Sequence, residues 1–568
     1  MMKTNACYFL RLLGLLPLLL LACASKKEAA DLVLRGGIIH TMAANHGTVE
    51  AVAVKGDRIV MVGTNAEADK WIGPKTRVVE LQGKTVVPGL IDSHYHFQGV
   101  GTREYNLNLD GAISLEDFQT RIKNWAASKA PGAWLLGRGW MEEDWPAKNF
   151  PTRADIDAVV SDRPVYLNRA DGHMAVVNSK ALELAGINAS TPNPAGGEIL
   201  KDQNGAPNGL FVDNAMGLFA RQIPTNSLAM QEGYALKANE AALAYGLTTI
   251  HDAGSDWETI NLWKSLYEQN KLKIRIYEFV RGPSADVDTL LGRGAEIGLF
   301  GNRLTIRGIK ISADGALGSR GAALLEKYSD ENTTGLFLHS DESVYPIVKA
   351  ATEQGLQMAI HAIGDAANRK VLDFYERAAQ EVPAEARAIR EPRHRIEHAQ
   401  VVHPSDLPRF KQLGVIPSME ASHAIGDLHF APRRLGDERL LGAYAWRTLL
   451  DDGNMIAGGS DAPVEEGNPM IEFYASVARK DTTGFSAGNW HEELKMTRLE
   501  ALKSLTIWGA HAAFEEELKG SIEVGKLADF AVLDRDLMTV PEESLFRIQN
   551  VMTIVGGEVV YKKDGADF

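Results

Sequence analysis

Six side chains able to bind metal or move protons stand where short apolar runs stop, and they are scattered along most of the chain. His94 and His96 close Val87-Pro88-Gly89-Leu90-Ile91-Asp92-Ser93-His94-Tyr95-His96, and Lys310 sits in Gly308-Ile309-Lys310-Ile311. His361 ends Met358-Ala359-Ile360-His361, His398 ends Arg395-Ile396-Glu397-His398, and Asp461 ends Gly458-Gly459-Ser460-Asp461. Imidazoles and carboxylates placed repeatedly at the ends of buried strands are what a parallel β/α barrel needs to hold metal at its mouth.

The stretches between these points support that reading. Short apolar runs alternate with longer amphipathic segments, the signature of βα units and a parallel sheet. The candidate strands are Thr85 to Ile91, Pro164 to Asn168, Thr248 to His251, Ile274 to Val280, Leu304 to Ile311, Leu356 to Ile360, Arg393 to Ile396, Val415 to Ser418 and Asn454 to Ala457. That is one more than a TIM-type barrel takes. The gap from about 97 to 235 is too long for one connection, so Trp134 to Gly139 and Pro164 to Asn168 are assigned to an inserted α+β subdomain after the first barrel strand. Lys310 then lies on the fourth barrel strand, His361 on the fifth, His398 on the sixth and Asp461 on the eighth. Both ends of the chain carry short β segments punctuated by turn pairs: 31–40, 49–55, 58–62 and 77–81, then 529–533, 551–555 and 558–561 around Gly556-Gly557. One composite β-sandwich built from both termini is expected. The predicted organisation is a sandwich from 31–84 and 515–568 beside a barrel over 85–514 with its insertion at about 97–235.

Residues i and i+2 on a strand share a face, so His94 and His96 project together and supply half of a catalytic metal site. Taken alone, Lys310 reads as a strand-end lysine snorkelling to water. Between Ile309 and Ile311 an unpaired ammonium is costly, and a lysine depressed in pKa there can react with carbon dioxide to give a carbamate that bridges two cations. His361 and His398, each equally readable as a structural histidine, together complete a second position. A carboxylate beside bound metal can accept a proton from water whose pKa the cation lowers to about 7. Asp461 is therefore the catalytic candidate, first as general base and then as acid to a leaving amine.

These residues and their surroundings resemble the metal-dependent amidohydrolases, and more narrowly the YtcJ-like (amidohydrolase 3) branch that includes N-substituted formamide deformylase. The resemblance rests on the run from Pro88 to His96, Asp171-Gly172-His173, Asp314-Gly315-Ala316-Leu317-Gly318-Ser319-Arg320 and His361-Ala362-Ile363-Gly364-Asp365. It continues through Arg395-Ile396-Glu397-His398-Ala399-Gln400, Gly459-Ser460-Asp461-Ala462-Pro463 and Gly525-Lys526-Leu527-Ala528-Asp529-Phe530. It implies that His94, His96, His361 and His398 are metal ligands, that Lys310 is carboxylated, and that Asp461 is both ligand and proton shuttle. One departure stands out: Glu420-Ala421-Ser422-His423 follows the seventh strand where relatives more often show Gln-Pro. His173, Arg320 and Asp427 are further candidates for substrate contact, each equally readable as a loop residue satisfied by backbone.

The expected activity is zinc-dependent hydrolysis of carbon–nitrogen bonds of amide, N-acyl or formamide type by metal-activated hydroxide, with one or two ions and two favoured if Lys310 is carboxylated. Hydrolysis of an ester, lactone or cyclic amide on the same site is the alternative, and a non-catalytic small-molecule- or metal-binding lipoprotein the rival from another class. Lys3 and Arg11, a leucine-rich run to Leu21 and the lipobox-like Leu20-Leu21-Ala22-Cys23 predict a signal peptide over 1–22, lipidation at Cys23 and a tether over 23–30. Cys7 and Cys23 are the only cysteines in the chain, so the mature domain offers no thiol nucleophile or Cys-type zinc site. The expected location is a bacterial cell envelope, anchored by lipid, with an outer membrane favoured by Ala24. A net charge of −14 without a basic face argues against nucleic acid. The expected partners are a small-molecule substrate and a membrane, and a homodimer is left open.

Overall fold

The computed structural model describes residues 29–44, 46–142, 145–170, 174–194, 197–223, 227–488 and 490–568. The predicted signal peptide, Cys23 and His173 lie outside them.

The central sheet has eight parallel strands, in chain order Leu90–Tyr95, Leu247–Ser255, Arg275–Arg281, Leu304–Ser312, Gln357–Ala362, Arg395–His398, Ile416–Glu420 and Ala457–Gly459, with a short antiparallel strand, Glu296–Gly298, beside the fourth. Each pairs with its sequence neighbour, so the order runs once around a barrel. The seam between the last and first strands is short. It is closed by a parallel bridge between Tyr95 and Ala462, by the Asp461 N–H donating to the His94 carbonyl at 2.7 Å, and by the His96 N–H donating to the Ala462 carbonyl at 2.8 Å. The buried Asp92 carboxylate pins the same seam, accepting from the Ser460 hydroxyl at 2.6 Å and the Ser460 N–H at 3.0 Å. Burial pushes the Asp92 carboxyl up to about 7. This is the TIM-type arrangement, in which the chemistry belongs to the carboxyl ends of the strands.

Strands from both ends of the chain pair into a second, eight-stranded sheet. Its path runs Glu558–Lys562, Asn550–Val555, Phe530–Leu533, Thr85–Pro88, Leu32–Ala43, His46–Lys55 and Arg58–Gly63, with Arg77–Glu80 beside Leu32–Ala43. Gly556 and Gly557, both at positive φ, form the two-residue turn between its last strands, as a hairpin of the primed type requires. Hydrogen bonding is continuous from edge to edge, and Leu32, Leu34, Val52 and Val54 share one buried cluster with Phe530, Val532, Met552 and Ile554. The run read from sequence as one strand, Thr85 to Ile91, is divided at Gly89: Thr85–Pro88 pairs with Phe530–Leu533, and Leu90–Tyr95 opens the barrel. An apolar run buried on all sides carries no mark of where its partner changes.

Arg275 of the third barrel strand ties the two sheets together. Its guanidinium binds the Asp529 carboxylate twice, Nε to Oδ2 at 2.7 Å and Nη2 to Oδ1 at 2.9 Å, with both side chains buried. A third sheet of six strands, spanning Leu107–Asn108 to Pro207–Asp213, is inserted between the helix Phe97–Tyr105 and the helix Leu228–Ala244. Leu135–Trp140 and Val165–Arg169 are adjacent strands of it. Among the described residues, no helix is long and apolar enough to cross a membrane.

Candidate metal centre

Asp461 is the hub of the barrel mouth. Its Oδ1 lies 3.0 Å from His96 Nε2 and 3.6 Å from His94 Nε2, and its Oδ2 lies 3.6 Å from His423 Nε2. Gly459, two residues earlier, makes this approach possible: a Cβ there would stand 2.5 Å from the His94 N and 2.8 Å from its Cβ. Asp461 has φ +58° and His398 φ +70°, a left-handed backbone that side-chain-bearing residues rarely adopt and that collects at functional sites. At His398 the consequence is concrete. Consecutive strand residues point to opposite faces, yet Glu397 and His398 both reach His94: the Glu397 carboxylate is 2.5 Å from His94 Nδ1, and the two imidazole centroids are 4.8 Å apart.

Below the histidines, a chain of buried polar contacts fixes their orientation. The Arg395 guanidinium, inside the barrel, donates to Glu397 Oε2 at 3.1 Å, to the Ser93 carbonyl at 2.5 Å and to Ser418 Oγ at 2.7 Å. Glu397 in turn holds His94 by Nδ1, which leaves Nε2 facing Asp461 and Lys310, an arrangement that presents a ring lone pair to a cation. On the outer side, Asp314 accepts from the backbone N–H groups of Ala323, Ile363 and Gly364 and lies 3.4 Å from His361 Nε2. It thereby joins the loops after the fourth and fifth strands.

The electrostatics favour ligand-competent forms. Burial, and then the neighbouring Lys310 charge, holds His94 well below the usual imidazole range; burial and the other histidines do the same to His398. Burial pushes Asp461 up, but its neighbours His96, His423 and Lys310 together outweigh it and the carboxyl sits below its ordinary value. Burial lowers Lys310. Its Nζ lies 3.3 Å from His94 Nε2, and among the described residues no carboxylate reaches it within ion-pair distance.

The donor atoms suit a divalent cation. His94, His398 and Asp461 each offer one ligand atom, all within 4.8 Å of one another. His361 Nε2, His423 Nε2, Asp461 Oδ1 and both Glu420 oxygens are buried without hydrogen-bond partners, a loss that a native site tolerates when something else satisfies the group. Neutral imidazoles and carboxylates at such spacing are the ligand types of zinc and related ions.

The model of the amidohydrolase family matches residues 77–561. The chain belongs to that family. It is 33% identical over 546 residues to the protein LONG AFTER FAR-RED 3 of Arabidopsis thaliana, covering 94% of this chain and 92% of that one. It is 28% identical over 555 residues to the N-substituted formamide deformylase of Arthrobacter pascens, covering 95% of this chain and all of that enzyme. Among solved structures, an uncharacterized metal-dependent hydrolase of Pyrococcus horikoshii matches with a TM-score of 0.73 and 28% identity, over 90% of this chain and 99% of that one.

Within this amidohydrolase barrel, the six positions read from sequence stand at the ends of the first, fourth, fifth, sixth and eighth strands. Asp427 sits on the helix Ala421–Asp427 after the seventh strand, where its partly buried carboxylate accepts from Gln400 Nε2 at 2.8 Å and from the Tyr444 hydroxyl. Arg320 is engaged with Asp330, Nη2 to Oδ2 at 3.0 Å, in a partly exposed pair that also takes Arg434. Sequence reasoning assigned no role to Arg395, Glu397 or Asp314, and read Glu420 and His423 only as part of a segment facing the substrate. Arg395 and Glu397 share a strand face at spacing two, but on a strand of only four residues.

Proposed function

We propose that this chain is a zinc-dependent hydrolase of carbon–nitrogen bonds of amide, N-acyl or formamide type. The observation that carries the reading is the convergence of His94, His96, His398 and Asp461 on one point of the mouth, with unsatisfied donor atoms aimed into it. His94, His96 and Asp461 would hold one ion, His361 and His398 a second, with Lys310 between them. A cation bound there polarises a carbonyl and lowers the pKa of water. Lys310, whose neutral amine is favoured by burial, would add to carbon dioxide with loss of a proton, and the carbamate formed would offer anionic oxygen to a cation held there. Asp461 accepts the proton of the attacking water and delivers it to the departing nitrogen, which cannot leave as a free amide anion. Glu397, held by Arg395, keeps His94 in the tautomer that faces the site. The full-length similarity to a protein named for formamide deformylation supports the choice of bond. We place the chain at a bacterial envelope, tethered through lipid on Cys23.

The test is a panel of N-formyl and N-acyl amines beside matched aryl esters, assayed before and after removal of metal by chelator. Amide turnover that falls at least ~100-fold on chelation and returns with added Zn2+ is expected. Ester turnover with no amide turnover would move the activity to esters, and turnover indifferent to chelation would remove metal from the mechanism.

A further inference from the structure

Glu420 ends the seventh barrel strand with its carboxylate buried and neither oxygen hydrogen-bonded. An uncompensated buried carboxylate is among the most costly groups a fold can carry. Its nearest nitrogens do not relieve it. His94 Nδ1 is 3.5 Å away and already donates to Glu397 at 2.5 Å. His398 Nδ1 lies 2.7 Å from Oε2 without the alignment of a hydrogen bond. One turn on, His423 stacks on His398, with centroids 5.6 Å apart and planes at 17°, and turns a buried, unpartnered Nε2 toward the same space. One ligand atom from each of His398, Glu420 and His423 lies within 4.8 Å of the other two.

We propose that strand seven adds a cation position to this centre, held by Glu420, His423 and the Nδ1 of His398, with Nε2 of His398 left for the ion shared with His361; the inference rests on the metal-dependent reading above. Two imidazoles and one carboxylate are a donor set that zinc takes, at bonds of about 2.0–2.2 Å that set tetrahedral ligand atoms roughly 3.3–3.6 Å apart, and side-chain rotation would close the observed spread, within 4.8 Å, onto one ion. The charge count agrees. Glu397 is matched by Arg395, whereas Glu420 has no cationic partner of its own within ion-pair distance among the described residues. The position adjoins Asp461 through His423, 3.6 Å from Asp461 Oδ2, so its occupant would share the mouth with the substrate.

The test compares the full-length chain with its Glu420→Gln and His423→Asn variants, each loaded with Zn2+ alone. Zinc per chain is measured by elemental mass spectrometry after gel filtration, and affinity by competition with a chromophoric chelator. Each variant is expected to lose one equivalent that the parent keeps, or to bind it at least ~10-fold more weakly, while retaining the remainder. The glutamine amide oxygen can still accept from His398 Nδ1. A Glu420 that merely orients His398 therefore predicts full zinc in Glu420→Gln and no effect of His423→Asn, and that result overturns the proposal. A parent chain that binds no zinc overturns the metal-dependent reading itself. The two variants alter different side chains, so if one misfolds by circular dichroism the other still decides.

Discussion

Replacing Asp461 with asparagine is expected to lower kcat on an amide substrate by about 10²- to 10⁴-fold, the usual contribution of a positioned proton-transfer group, or roughly 3–5 kcal/mol of transition-state stabilisation. The substitution keeps the shape of the side chain, and the backbone N–H of residue 461 still bonds the His94 carbonyl across the barrel seam. The fold should therefore be retained. Asparagine can accept a hydrogen bond from His96, but it can neither take a proton from water nor return one to a leaving amine. The loss should shrink for esters with good leaving groups, which depart without protonation. Kinetics on an amide and an aryl ester of the same acyl group, with zinc content measured on the same sample, separate this role from ligand loss. Equal losses on both substrates, matched by an equal loss of metal, would make Asp461 a ligand only.

The Asp529→Asn variant is expected to lose about 3–5 kcal/mol of stability, the cost of leaving a buried charge without its partner. Arg275 makes two hydrogen bonds to Asp529, and the Gly556 N–H donates to the same carboxylate at 2.7 Å, so the substitution strands a guanidinium between the barrel and the terminal sheet. Burial pushes the Asp529 carboxyl up, but the Arg275 charge and hydrogen bonds outweigh it and hold the group below its ordinary value. A carboxylate depressed on folding contributes stability above its unfolded pKa of about 4 and loses it as pH falls through the folded value. Denaturant unfolding should therefore show a gap between parent and variant that is full at pH 7 and narrows below about pH 4. A gap unchanged at low pH would mean that the ion pair is not the source of the difference.

The barrel was legible because its strands are buried on both faces and its chemistry is confined to their ends. An apolar run with a polar terminus is a strong pattern, which His361 follows most plainly, while His94, His398 and Asp461 close runs that already carry other polar residues. What lay inside the barrel was harder to read. Arg395 and Glu397 occupy a strand of four residues, too short for spacing two to separate itself from chance. Glu420 and His423 look like the start of a helix, and only the folded arrangement brings them against His398. The left-handed backbone at His398 and Asp461 re-aims both side chains, and the sequence marks it only weakly, since histidine and aspartate enter this region more often than most residues but far less readily than glycine. The partner of Arg320 was also out of reach: Asp330 lies ten positions on, across a loop whose path is set by tertiary contacts.

The most direct test of the central claim is anomalous diffraction at the zinc edge from crystals of the zinc-loaded protein. Peaks within bonding distance of His94, His96 and Asp461, with density extending Lys310 as a carbamate between two ions, are the predicted result. A protein that hydrolyses its amide substrate while showing no anomalous peak at these side chains would contradict the account.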